Sequence, residues 1–355
     1  MNNYKILYLE DQKADSMVED FKKEGVELVV NKANSVEVAT TMMRKEIFDA
    51  YLMDYRLSQG KSFFDAPPFA AYLRTEDKRG KITQKPIFLI TSEKGLNIVT
   101  RDENHQDLFD LIMLKDDYNN HKKETIELFI SYIKAYQNTE KSNYKAEDVL
   151  QIKKEEVKIY VDDRLLKELK VAKTEKNAYS YLRKIAEHLI SVPGVLIDER
   201  YLAARLGVDM DKSGDEWGKL SSELVKCRYC GVLSESYRRW WMPRVLKWWE
   251  GISNGKSMRR MEAKERVELM NSHFNLKLQA AEPLKFCESS NFWTVCKALG
   301  APIDPAEGYV CNQRPRRPWE ENEYISVLGA LEYTVFQKYL TATDKKEVID
   351  YGKEL

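Results

Sequence analysis

Over the first third of the chain, short apolar runs alternate with stretches of helical spacing. Tyr4 to Leu9 is a strand-length, mostly apolar run. Gln12 to Glu24 carries Ala14, Met17, Val18 and Phe21 at helical spacing and stops at Gly25, a residue that ends helices without steric cost. Val26 to Val30 reads as a second strand, Ser35 to Lys45 as a helix, and Ala50 to Met53 as a third strand leading into Asp54. After a long polar stretch, Pro86 to Ile90 and Leu111 to Leu114 read as strands four and five, and Glu124 to Tyr136 as a closing amphipathic helix. Strands that alternate with helices predict an α/β unit, a doubly wound five-stranded parallel sheet covered on both faces.

That topology gives the polar residues at the strand ends a meaning. In an open parallel sheet, ligands bind beyond the carboxyl ends of the strands, where the strand order reverses. Glu10 and Asp11 follow strand one, Asp54 follows strand three, Thr91 and Ser92 follow strand four, and Lys115 follows strand five. Three carboxylates at one edge repel one another unless a hard divalent cation joins them, and Mg²⁺ suits a site with few carboxylates, water and phosphate oxygens. Glu10 and Asp11 would hold the ion. Asp54 would be the nucleophile toward a phosphoryl group, Lys115 a positive charge for the phosphoryl oxygens, and Thr91 a hydroxyl donor.

These motifs, YLEDQ, AYLMDYRL, FLITSE and IMLKDD, resemble in type and order the receiver domain of two-component response regulators, over residues 4 to about 137. The resemblance implies a flavodoxin-like fold and a phosphoprotein that takes a phosphoryl group on Asp54 in a Mg²⁺-dependent reaction. It implies a histidine kinase or a phosphotransfer protein as donor, and a metal shell of Glu10, Asp11 and Asp54 completed by the backbone carbonyl of Arg56. Three features depart from the family. Asp116 follows Lys115 where receivers usually carry Pro, Ile112 stands where a switching aromatic is common, and the stretch from Leu57 to Lys85, with Ser58, Gly60, Pro67 and Pro68, is enlarged.

Residues 138–158 are rich in Lys and Glu and read as a linker between a receiver over 1–137 and a second region over 159–355. That second region is expected to be mainly α: Tyr179 to Ser191 carries Tyr179, Leu182, Ile185, Ala186 and Leu189 on one face. Cys227 and Cys230 make half of a zinc knuckle, but Cys287, Cys296, Cys311 and His273 are too irregularly spaced to complete it, so packed cysteines are the expectation. The segment Arg228 to Trp249 mixes Arg with Trp240, Trp241, Trp248 and Trp249. Such a mix can stack on bases, yet at helical spacing it more often fills a core or a protein interface. Glu199 to Asp209 resembles the first helix and turn of a helix-turn-helix, without a basic recognition helix after it. A helix start is expected near Pro318 in RPRRPWEENEY. No nucleophile elbow, P-loop, HExxH or kinase signature is present, and the four histidines are isolated; an enzyme of unrecognised kind in this part stays a further alternative, one that would require a convergent polar site the sequence does not show.

Composition narrows the picture only a little. The chain has 355 residues, enough for two or more cores, and its 57 basic residues balance 57 acidic ones, which names no polyanionic partner. No apolar run approaches the roughly 20 residues of a membrane span, and the five cysteines form no dense framework; a cytoplasmic, disulfide-free protein is expected. The leading expectation is a response regulator whose helical part meets another protein. A phosphate sink or adaptor without a switched output is an alternative, and a DNA-binding regulator a weaker one.

Overall fold

A computed structural model of the chain describes residues 4–10, 12–31, 36–57, 65–78, 84–92, 95–96 and 106–353. The chain folds into two compact units. The first comprises Met1–Lys154, Asp163–Lys184 and Gly231–Ser236, the second Glu155–Asp162, Ile185–Cys230 and Tyr237–Leu355.

The first unit is built on β1 (Tyr4–Leu9), β2 (Val26–Asn31), β3 (Ala50–Asp54), β4 (Ile87–Thr91) and β5 (Leu111–Leu114), all parallel, in the order β2-β1-β3-β4-β5. This is the flavodoxin-like doubly wound order, with the reversal between β1 and β3. The two-residue period of a strand sorts the side chains. Leu7, Leu9, Tyr51, Met53, Ile87 and Leu89 join one core with Ala39 and Met43 of α2 (Val36–Lys45) and with Phe69, Ala70 and Leu73 of α3 (Ala66–Lys78). On the opposite face Phe88 stacks on Phe129, ring centres 4.3 Å apart, and Phe129 meets Phe21 of α1 (Asp15–Lys23). Both faces are thus covered, which explains why β4 is buried at every position.

Two expectations change here. The stretch after Asp54 contains the helix α3, with Pro67 and Pro68 in its first turn, where the missing N–H groups would have had no intrahelical partner. The supposed linker is helical for most of its length. After α4 (Lys115–Asn120), helix α5 runs Lys122–Lys141, and α6 (Ala146–Leu150) and α7 (Lys154–Tyr160) follow. Tyr144, Val149 and Leu150, scattered among Lys and Glu, are buried, so residues 138–154 extend the first unit, while Glu155–Asp162 belongs to the second. Asn143 and Tyr144, both at positive φ, make the turn after α5.

Helices α8 (Asp163–Thr174) and most of α9 (Ala178–Ile185) belong to the first unit. They are tied to it by polar contacts: Tyr144 Oη donates to the Lys176 carbonyl (2.9 Å), Gln84 Oε1 accepts from Ala178 N (2.6 Å), and the Arg74 guanidinium lies 3.7 Å from the centre of the Tyr179 ring. Arg74 in turn holds Asp110, whose carboxylate accepts from Arg74 Nη2 (2.7 Å), Ile87 N (2.8 Å) and Tyr136 Oη (2.7 Å).

The second unit is mainly helical, as expected. Its core gathers Trp217, Trp240, Trp249 and Trp293 with Leu202, Leu206, Val245 and Met270, and Trp241 is likewise buried. The Arg/Trp segment therefore fills a core: Trp240 and Trp241 form β7, paired with β6 (Leu196–Ile197), and Pro243 opens the helix Met242–Ser253. After the helix Glu199–Leu206, Gly207 turns the chain at φ +75°, where a β-carbon would strike the Ala263 backbone. The next long helix, Asp215–Glu223, begins with two acids, so no basic recognition helix follows. Near Pro318 a turn replaces the expected helix. Glu320 N closes on the Arg317 carbonyl, while the buried Glu320 carboxylate takes Arg314 Nη1 (3.0 Å) and Arg317 N (3.1 Å). Among the described residues no helix is long and apolar enough to cross a membrane.

Candidate functional site: a carboxylate and lysine cluster at the sheet edge

The carboxyl ends of β1 and β3 lie side by side because Leu9 pairs with Met53, so Glu10 and Asp54 are the next residues out on neighbouring strands. Asp54 pairs with Ile90, so Thr91 follows on β4, and Thr91 pairs with Leu114, which places Lys115 just beyond on β5. Register alone brings four of the expected residues to one edge. Lys115 closes the cluster: its Nζ lies 3.1 Å from Glu10 Oε2 and 3.3 Å from Asp54 Oδ2.

Electrostatics follow from this geometry. Burial pushes the Asp54 carboxyl above its ordinary value, and the Glu10 charge adds to the effect, while Lys115 pulls the other way without cancelling it. Burial also acts to raise Glu10, but the Tyr8 hydroxyl, Lys115 and the Gln12 N–H together outweigh it and leave Glu10 below the usual carboxylate range. Burial works to lower Lys115, yet the charges of Asp54 and Glu10 hold its ammonium above its ordinary value. The site therefore holds two carboxylates of unequal proton affinity on one shared cation.

Tyr8 is a member that sequence reasoning did not find. Its ring is buried in β1, and its hydroxyl donates to Glu10 Oε2 at 2.7 Å. The signal available in the sequence was a tyrosine inside a strand covered on both faces, since a buried hydroxyl needs a partner. Thr91 is buried, and a β-carbon on Gly95 would overlap its hydroxyl oxygen, so glycine at 95 leaves Thr91 its room. Ser92 is used structurally, accepting from Gly95 N at its hydroxyl (3.4 Å) and from Leu96 N at its carbonyl (2.9 Å). Arg56 is exposed, two residues past Asp54, and its backbone forms an isolated antiparallel β-bridge with that of Asp65. Asp11 lies outside the described residues.

The departures from the receiver pattern acquire physical form. Lys115 is the first residue of α4, so a helix begins where a proline-shaped loop was the family expectation, and Asp116 and Asp117 in its first turn favour the positive end of the helix dipole. Ile112 is half-buried against the same core as Leu89 and Phe109.

Glu10 and Asp54 offer hard oxygen donors, and the nitrogen beside them is the Lys115 ammonium, which has no lone pair to ligate a metal, a chemistry that fits Mg²⁺ better than zinc. Among the described residues no group of three or more His, Cys, Asp or Glu side chains is placed to hold a metal, so the described part of the cluster is a pair that Asp11 would have to complete. Cys227 is buried and Cys230 exposed, and all five cysteines are free thiols.

Solved structures similar to this chain include a CheY-like response regulator receiver domain from Methylobacillus flagellatus, 18% identical over 32% of this chain and 87% of that one, with a TM-score of 0.26. Another is the signal receiver domain of an HD-domain protein from Pseudomonas fluorescens, 12% identical over 38% of this chain and 99% of that one, TM-score 0.30. A third is the non-phosphorylated HemR receiver domain from Leptospira biflexa, 18% identical over 35% and 94%, TM-score 0.27. Each spans about a third of this chain. No protein-family model matches the sequence, and no curated protein matches it.

Proposed function

We propose that the first unit is a phosphoacceptor receiver of a two-component pathway, with Asp54 as the acceptor. The observation that carries this reading is the convergence of Glu10, Asp54 and Lys115, from three different strands, at the switch point of a parallel sheet. In the reaction, an Asp54 carboxylate oxygen attacks the phosphorus of a phosphohistidine on a histidine kinase or phosphotransfer protein. The P–N bond breaks, the imidazole leaves, and Asp54 becomes an acyl phosphate. Lys115, already seated between the two carboxylates, turns its ammonium to the phosphoryl oxygens, and the Thr91 hydroxyl donates to another. Glu10, Asp11, Asp54 and the Arg56 carbonyl would hold Mg²⁺, which when bound offsets the repulsion between the carboxylates and the incoming phosphoryl group. In this reading the unit acts on its own aspartate only, and the helical second unit carries the output through another protein.

Ile112 favours one variant of this reading. An aliphatic side chain held half-buried in the core offers no aromatic ring to swing between the site and the surface, which suits a phosphate sink or adaptor in which phosphorylation does not move that position.

Intact-mass spectrometry after incubation of the full chain with Mg²⁺ and acetyl phosphate or phosphoramidate tests the proposal. One phosphoryl adduct on the parent, absent from Asp54→Ala and from EDTA-treated protein, is the expected result. An adduct that persists in Asp54→Ala, or no adduct and no Mg²⁺ binding, would refute it.

A further inference from the structure

Two arginine-rich motifs of the second unit, distant in sequence, line two neighbouring cavities that share part of their walls. The first cavity, about 340 Å³, has an apolar side made by Ile190, Val192, Pro193 and Val295, and carries Arg200, Arg239 and Lys297. The second, about 230 Å³, shares Val192, Pro193 and Glu323 with the first and adds Arg314 and Arg316.

The acids in these walls are already committed. Asp198 caps a helix by accepting from Tyr201 N at 3.0 Å, Glu323 takes Lys297 Nζ at 2.6 Å, and Glu320 takes Arg314 Nη1 at 3.0 Å. Glu321 is held by the buried Arg205 at 2.6 Å. Two cations are left over. Arg239 donates from Nε to the Ile190 carbonyl (2.8 Å) and from Nη1 to the Arg238 carbonyl (2.9 Å), and Arg316 donates to the Glu320 carbonyl. Among the described residues neither has a carboxylate within ion-pair distance, and Arg200 reaches Asp198 only at 3.8 Å. Burial of Arg239 pulls its guanidinium below its ordinary value, and the charge of nearby Asp198, which is not within ion-pair distance, offsets this only in part.

Two neighbouring cavities with a shared apolar wall, each carrying one guanidinium group without a carboxylate in ion-pair distance, call for a ligand with an organic part and a charged acidic group. Guanidinium forks match phosphate in geometry and charge, and the larger cavity lies within the usual size of small-molecule sites, about 300–1,000 Å³. We propose that these neighbouring cavities together bind a phosphate monoester of nucleotide size, with Arg239 and Arg200 of the larger cavity and Arg316 of the smaller as partners of the phosphate and the Ile190, Val192, Pro193 and Val295 wall against the organic part. Neither this site nor its chemistry depends on phosphorylation of Asp54.

The test is calorimetric titration of the full chain in EDTA-containing, Mg²⁺-free buffer with AMP, GMP and inorganic phosphate as probes, on the parent and on Arg239→Gln, Arg316→Gln and Asp54→Asn. A nucleotide should bind to the parent, with affinity that falls as salt rises, at least tenfold more weakly to Arg239→Gln and Arg316→Gln, and unchanged to Asp54→Asn. Inorganic phosphate binding as tightly as the nucleotides, with the same arginine dependence, would support the anion site and assign free phosphate as its ligand. Arg239 also supports the Ile190 carbonyl, so if Arg239→Gln fails to fold, Arg316→Gln decides. The proposal is overturned if no probe binds, if both arginine variants bind as the parent does, or if a single-stranded oligonucleotide binds where the mononucleotides do not.

Discussion

Replacing Lys115 by Met tests the electrostatic reading of the sheet edge most directly. The substitution keeps the length and apolar stem of the side chain and removes the charge that sits 3.1 Å from Glu10 and 3.3 Å from Asp54. At an effective dielectric near 20, each such attraction is about 5 kcal/mol gross. Desolvation of the partly buried ammonium and solvent screening at a side chain still 35% exposed reduce this to a net loss of about 1–2 kcal/mol in metal-free buffer. The variant should also bind Mg²⁺ more tightly, because no fixed cation competes for the two carboxylates. A tenfold gain in affinity would return about 1.4 kcal/mol of stability at saturating metal, close to what was lost. All seven tryptophans lie in the second unit, so fluorescence does not report on this site. Hydrogen exchange of peptides covering β1 and β3, followed by mass spectrometry with and without Mg²⁺, does. Equal protection of parent and variant without metal, or an equal gain from Mg²⁺ in both, would refute the view that Lys115 neutralises the pair.

Three further outcomes are expected. Asp54→Asn should stabilise the metal-free protein at pH 7: burial raises the folded carboxyl above its unfolded value, so its favourable contribution exists only at pH below the unfolded value and is lost as pH rises through the folded one. Urea unfolding followed by far-ultraviolet circular dichroism should show the largest advantage at neutral pH and a shrinking one toward pH 4, and a destabilised Asp54→Asn would contradict this. Asp110→Ala leaves the buried Arg74 cation without its carboxylate and frees Ile87 N and Tyr136 Oη, at a cost of about 3–5 kcal/mol. In a double-mutant cycle with Arg74→Met the two losses should be far from additive, and additivity would show that the pair is not coupled. Tyr8→Phe removes a 2.7 Å hydrogen bond to a buried carboxylate and should destabilise the first unit by about 1.5–3 kcal/mol while weakening Mg²⁺ binding; unchanged metal affinity by calorimetry would limit Tyr8 to packing.

The sheet was legible because its signals are local. Five apolar runs of strand length, with polar residues at their carboxyl ends, named the strands to within one or two residues and placed Glu10, Asp54, Thr91 and Lys115 at one edge. Helix α3 was hidden by Pro67 and Pro68, which read as loop residues unless the first turn of a helix is considered. The helices of 138–158 were hidden by their charge, because Tyr144, Val149 and Leu150 are too few to set a period in so polar a segment.

Local pattern thus determined the parallel sheet, the charged residues at its edge, which were read from strand order alone, and the mainly helical character of the rest. Tertiary structure decided what those residues meet. Lys115 finds Glu10 across 105 positions of sequence, Arg74 finds Asp110 and the Tyr179 ring, and Arg239 and Arg316 line two cavities that share Val192, Pro193 and Glu323. Periodicity records which face of an element is buried. It does not record which distant side chain shares that burial, because that choice is made by shape and charge complementarity between elements once they have packed.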